Sequence, residues 1–278
     1  MRGTTIGDMQ NDRTTSNGAQ RLTYLVVAAH PDDADFGVAG TAAKLAREGH
    51  PVHYLVCTSG DAGTEDPSQP PEELARLREA EQDDAARILG LAGTHYLRLQ
   101  DGALEPTLAL RKAIVRAIRQ VKADVVLSLD PRTLMNDDST YLNHPDHRAA
   151  GQATLDAAYP AAGNPGAYRE LLAEGLPAHR VREVWLYFTN AQHANHWVDI
   201  TQTLDLKIRA LEAHASQIGD WAANGGLQRE ITKWAEDEAQ RHGLPYRYAE
   251  GFQRVVLRSE EPERPPEAEA LEAQAEDS

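Results

Sequence analysis

The chain has 278 residues, 41% hydrophobic and 26% charged, with 28 basic against 43 acidic side chains and a formal net charge of −15. That balance excludes the basic stripe of a nucleic-acid-binding surface, and no run approaches the roughly 18 apolar residues of a membrane span. A single cysteine, Cys57, excludes an internal disulfide and fits a reducing compartment, so the expected location is cytoplasmic.

Residues 1–20 are polar, contain no apolar h-region, and read as a disordered segment rather than a signal peptide. Residues 22–29 form a short, continuously apolar run, the pattern of a parallel strand buried on both faces. A helix at 36–48 stops at Gly49. A second strand at 52–57 ends on Cys57, read as a core thiol rather than a nucleophile. A Gly/Asp/Pro/Ser loop at 58–70 leads to a helix at 72–89, closed by Gly90. A third strand at 95–99, helical spacing from Leu108 to Val121, and a fourth strand at 124–129 follow. Repeated strand–helix order indicates an α/β fold: a mostly parallel sheet with helices on both faces.

Beyond the loop 130–143 the pattern predicts a helix at 145–158 and a Gly/Pro-rich connection. Strands at 184–189 and 197–200, helices at 203–218 and 227–242, and a last strand at 252–257 complete the chain. The parallel core is expected to end near residue 150, with the C-terminal extension packed on it in one domain spanning 21–258. Residues 259–278 carry eight acidic side chains and one arginine among three prolines. Such a segment buries too little apolar surface to offset its ordering entropy and reads as a disordered tail.

Two clusters carry chemistry. Ala29-His30-Pro31-Asp32-Asp33 stands where the first strand gives way to a helix, at the carboxyl edge of the sheet where open α/β sheets bind ligands. His30 and Asp33, three apart, can face one point, and imidazole plus carboxylate suits zinc or another borderline divalent cation. The competing reading is a helix cap, with Asp32 or Asp33 as the capping carboxylate and His30 a hydrogen-bonded core residue. His144-Pro145-Asp146-His147 repeats the spacing at a second helix start, with Pro145 suited to a first helical position. His147 can supply a third protein ligand and leave a position open for water. His144 then lies beside the metal without binding it, oriented by Asp146.

With these motifs the chain resembles the LmbE-like (PIG-L type) zinc-dependent N-acetylglucosaminyl deacetylases, from about Leu22 to Gln217. The resemblance also takes in Arg78 and Glu81 ahead of Leu89-Gly90, Asp101-Gly102, Asp130-Pro131, Val198-Asp199-Ile200 and His214-Ala215-Ser216-Gln217. It implies a Rossmann-like sheet and a hydrolase that removes the acetyl group from an N-acetylglucosaminyl or related N-acyl amino sugar. It further implies His30, Asp33 and His147 as ligands to Zn2+, with Fe2+ the alternative, and Asp32 as the general base acting on a metal-bound water. His144 is then expected to stabilise the oxyanion, its pKa raised by Asp146. Arg78 resembles a substrate contact, and Asp130 is expected near the site.

The expected partner is a small amino-sugar substrate, with no nucleic acid and no membrane, and a homo-oligomer stays open. Rival readings are amide cleavage of a thiol-sugar conjugate, and a sugar-binding protein that retains the metal without turnover. Intact Asp32 and His144 speak against the second, since metal binding alone does not need them. Tyr141 stands one place away from the position of a tyrosine in some relatives, and His193, His196 and His214 are candidate residues of the substrate mouth.

Overall fold

The computed structural model describes residues 14, 15, 20–137 and 139–257, so the expected tail and most of the first 20 residues lie outside it. Its centre is a seven-stranded sheet in the order β3-β2-β1-β4-β5-β7-β6. The strands are β1 (Tyr24–Ala28), β2 (Val52–Thr58), β3 (Gly93–Leu99), β4 (Val125–Leu129), β5 (Glu183–Tyr187), β6 (His196–Asp199) and β7 (Ala249–Val256). β1 and β4 are buried at every residue, which explains their unbroken apolar sequences.

The first five strands are parallel, whereas β7 runs antiparallel to both β5 and β6. The parallel core therefore ends at Tyr187, not near residue 150. The expectation failed because the crossover from β4 to β5 passes through α4 (Pro145–Asp156), a wide turn at Ala157–Ala161 and the one-turn α5 (Arg169–Ala173). Its Gly/Pro content hides a strand-to-strand connection. The chain order reverses between β1 and β4, and this switch point opens a crevice at the carboxyl ends of both strands.

Three helices precede that crossover: α1 (Asp33–Arg47), α2 (Pro71–Leu89) and α3 (Leu108–Val121). α2 closes on Gly90 at φ 75°, a left-handed position that favours glycine. α1 starts three residues earlier than its periodicity predicts, so Asp33 is already helical. Its small residues permit close approach: a Cβ on Gly40 would stand 2.8 Å from Ile200.

The expected helix at 203–218 is two helices, α6 (Leu204–Glu212) and α7 (Ala215–Ala223), broken at His214. Together with α8 (Gly226–Arg241) they bury a second apolar cluster around Ile200, Leu211, Leu227 and Ile231. Glu250 of β7 joins this layer to the core, accepting from the backbone N–H of Gly40 and Thr41 and from Lys207 Nζ at 2.6 Å.

Candidate metal centre

β1 delivers His30 to the crevice, and the turn into α1 places Asp32 and Asp33 side by side with different tasks. Asp33 Oδ2 accepts from the backbone N–H of Ala29 and His30, which leaves Oδ1 facing His147 Nε2 at 2.9 Å. His147 sits in the first turn of α4, where its Nδ1 meets Asn143 Oδ1 at 3.0 Å. Asn143 is fixed in turn by donating from Nδ2 to Thr133 O. With Nδ1–H donating to that amide oxygen, the Nε2 lone pair of His147 points inward, the tautomer a metal ligand needs.

His30 Nε2 lies 3.0 Å from Asp101 Oδ1 and 3.3 Å from Asp146 Oδ2, and its Nδ1 lies 3.4 Å from Asp33 Oδ2. Burial opposes a charge on His30, yet Asp33, Asp101 and Asp146 together push its pKa up to about 12. The pocket is one of negative potential that stabilises a cation.

Ligand atoms of His30, Asp33 and His147 lie within 4.8 Å of one another, as do those of His30, His144 and Asp146. The first trio fits a divalent ion better. Both oxygens of Asp146 already accept backbone N–H groups, from Gly102 at 2.8 Å and Leu104 at 3.1 Å. Asp33 Oδ1 has no such claim on it in the first trio and is aimed at the second imidazole.

Asp32 is the N-cap residue of α1 but makes no side-chain cap, so the capping alternative does not describe it. Its backbone sits at φ 90°, ψ −33°, a strained region for a residue with a Cβ. Burial pushes its carboxyl up to about 6, against the pull of the Arg78 guanidinium. Arg78 itself is buried. It donates from Nη2 to Asp32 Oδ2 at 3.2 Å and to Pro31 O, and from Nη1 to Gly60 O. Its guanidinium is thus turned onto Asp32.

His144 is the N-cap of α4, its Nδ1 accepting from the Asp146 backbone N–H at 3.2 Å. Asp146 holds the ring through its peptide rather than its carboxylate, which is occupied with Gly102, Leu104 and His30. The pKa of His144 is lowered, by burial and then by His30, opposite to the expected direction. With Nδ1 accepting, the N–H of the ring stands on Nε2.

Asp130 lies fully buried at the end of β4, where its carboxylate accepts from Arg132 and from Thr189 Oγ1. It ties β4 to the segment after β5. Cys57 is fully buried, and burial raises its thiol pKa to about 12, in keeping with a core thiol. His214 is fully buried rather than at a mouth, His196 packs against Trp185 and Phe252, and His193 is exposed beside Gln192. Tyr141 is half exposed. Burial and then Asp33 raise its pKa, against a smaller opposite pull from the His144 backbone.

Sequence reasoning gave no role to Asp101, Asn143 or Phe188, whose ring stacks on His147 with centroids 6.3 Å apart. Asn143 was open to discovery, standing four residues before His147 at a helix start.

The family described as PIG-L, GlcNAc-PI de-N-acetylase, matches residues 25–158. Diacetylchitobiose deacetylase of Thermococcus kodakarensis is 38% identical over 193 residues, spanning 69% of either chain. A 1D-myo-inositol 2-acetamido-2-deoxy-alpha-D-glucopyranoside deacetylase of Rhodococcus erythropolis is 30% identical over 249 residues, spanning 72% of this chain and 82% of its own. Among solved structures, N,N'-diacetylchitobiose deacetylase from Pyrococcus horikoshii, complexed with its inhibitor MPG, superposes with a TM-score of 0.74. It is 30% identical, with 84% of each chain covered.

Proposed function

Since this chain belongs to the PIG-L (LmbE-like) family, we propose that it is a metal-dependent hydrolase that removes acetate from an N-acetylglucosaminyl substrate. The observation that carries the reading is the buried trio His30, Asp33 and His147 at the switch point, with Asp32 held beside it in a strained backbone conformation. The relatives named above share a deacetylase activity on acetamido-sugar compounds, which supports the same substrate class here.

His30, Asp33 and His147 would hold the ion, and zinc suits two imidazoles and one carboxylate. When bound, such an ion supplies a Lewis acid for the amide carbonyl and a water of lowered pKa. Asp32 takes up the proton of the attacking water; a carboxyl of pKa about 6 is matched to that work near neutrality. Arg78 orients the Asp32 carboxylate from behind. His144 donates from its Nε2–H to the oxygen of the scissile amide, where charge develops. Tyr141 borders the same space and is placed to cover the sugar. Acetate and the free amino sugar are the products.

No helix among the described residues is long and apolar enough to cross a membrane. The single buried thiol supports assignment to the cytoplasm.

The test is acetate and amine release from a panel of N-acetylglucosaminyl compounds by protein loaded with zinc or ferrous iron. Release from at least one member, lost in Asp32→Ala with the metal still bound, is the expected result. Full metal occupancy with no acetate from any member would overturn the reading.

A further inference from the structure

The turn His214-Ala215-Ser216-Gln217 breaks the helix between α6 and α7, and the chemistry above gives it no task. Each of its three polar side chains reaches back to the first half of the chain. His214 Nε2 lies 2.8 Å from Asp35 Oδ2, and the same oxygen accepts from Gln82 Nε2 at 2.8 Å. A carboxylate only accepts, so the imidazole is the donor. Gln82 Oε1 then accepts the backbone N–H of Asp32 at 3.0 Å. His214, Asp35 and Gln82 are all at 0% exposure. Ser216 grips Glu81 through its backbone N–H at 2.8 Å and its hydroxyl at 2.6 Å. Gln217 donates to Gly63 O at 3.1 Å, in the loop whose Gly60 carbonyl receives Arg78.

We infer that this turn is a positioning clamp for Asp32, an inference that rests on the base role proposed above. One arm runs from His214 through Asp35 and Gln82 to the Asp32 peptide N–H. The other runs through Ser216 and Gln217 to the helix and loop that carry and receive Arg78, which holds the Asp32 carboxylate and the Pro31 carbonyl. The Asp32 carbonyl is meanwhile taken by the backbone N–H of Asp35 and Phe36. A φ of 90° at a residue with a Cβ persists only where its surroundings over-determine it. Here both peptide groups flanking Asp32 and its side chain are held, and two of those three grips lead to the His214 turn. His214, Gln82 and Ser216 are thus positioning residues, acting through Asp32 and Arg78.

The test uses the full chain, metal-loaded, with His214→Leu and His214→Gln each made alone and in an Asp32→Asn background. His214→Leu should lower kcat about 100-fold, the scale of a 1 Å misplacement, while KM and metal stoichiometry stay unchanged. His214→Gln, whose amide can still donate to Asp35, should recover most of that loss. In the Asp32→Asn background the His214→Leu change should cost less than about twofold, because groups that act as one unit are not additive. Equal losses in both backgrounds, or a glutamine no better than leucine, would overturn the clamp. A crystal structure of His214→Leu should show Asp32 released from its left-handed conformation, and an unmoved Asp32 would equally overturn it. That readout needs no activity, so it judges the clamp even if Asp32→Asn keeps the wild-type rate and the base assignment falls. Should His214→Leu not fold, Gln82→Met breaks the same arm with its volume kept and is read identically.

Discussion

Asp32 and Asp33 are neighbours with opposite electrostatic fates. Asp33, buried, is nonetheless held well below the usual carboxylate range by His147 and His30, while burial leaves Asp32 raised. One is suited to face a cation and the other to exchange a proton. His147→Ala should therefore lose the metal, whereas Asp32→Ala should keep it and lose rate; elemental analysis of both variants beside wild type checks this, and equal metal in the His147 variant would remove it from the ligand set. Asn143→Ala frees the His147 ring without removing it and should weaken metal binding about 10–100-fold, read by competition with a chromophoric chelator. The trio itself was legible because His30 with Asp33, and His144 with His147, are local patterns. The carboxylate of Asp101 was not, since its contact with His30 spans 71 positions and depends on β3 lying across β2 from β1. For His144 the sequence shows Asp146 two residues away, whose charge does raise the pKa of the ring, but not the burial and the His30 ring that outweigh it.

Elements bring these residues to one place, and α4 is set tightly against the sheet. A Cβ on Gly151 would stand 2.5 Å from the Leu129 carbonyl and 3.2 Å from Pro131, both at the end of β4. Gly151→Ala must push α4 outward, at a cost of about 1–3 kcal/mol. The expected result is a lower melting temperature together with weaker metal binding, because His147 rides on that helix; a stability loss with unchanged metal affinity would uncouple the two. At the same sheet edge Asp130 supplies a pH dependence. Burial works against its charge, but Arg132 and Thr189 hold its carboxyl below the ordinary value. A depressed folded pKa contributes stability above the unfolded value near 4 and loses it as pH falls through the folded one. Asp130→Asn should accordingly destabilise at pH 7 and do so less at pH 3, by denaturant titration at both. The parallel strands up to β4 were readable from alternating apolar runs and helical spacing. β5 escaped as a member of that set because sequence periodicity shows a strand, not the direction of its partner.

At the scale of the whole molecule, the site exists only when segments from β1, the end of β3 and α4 have met. The first cluster and the second are more than 100 residues apart, and His30 contacts Asp146 across that distance and Asp101 across 71 positions. The unfolded chain holds no such arrangement, so an ion that binds the cluster stabilises the fold by mass action. At 100 times its dissociation constant the gain is about 2.7 kcal/mol. For a chain of this size that corresponds to a melting temperature higher by roughly 5–10 °C. The surrounding carboxylates already favour a cation. Titrating zinc into chelator-treated protein should raise the melting temperature progressively, without a plateau at one equivalent, since linkage continues to grow with free ligand. His147→Ala should flatten that rise, while Asp32→Ala should preserve it. A rise of the same size in the His147 variant would mean that the stabilising ion sits elsewhere on this acidic molecule, and the crevice would lose its claim to the metal.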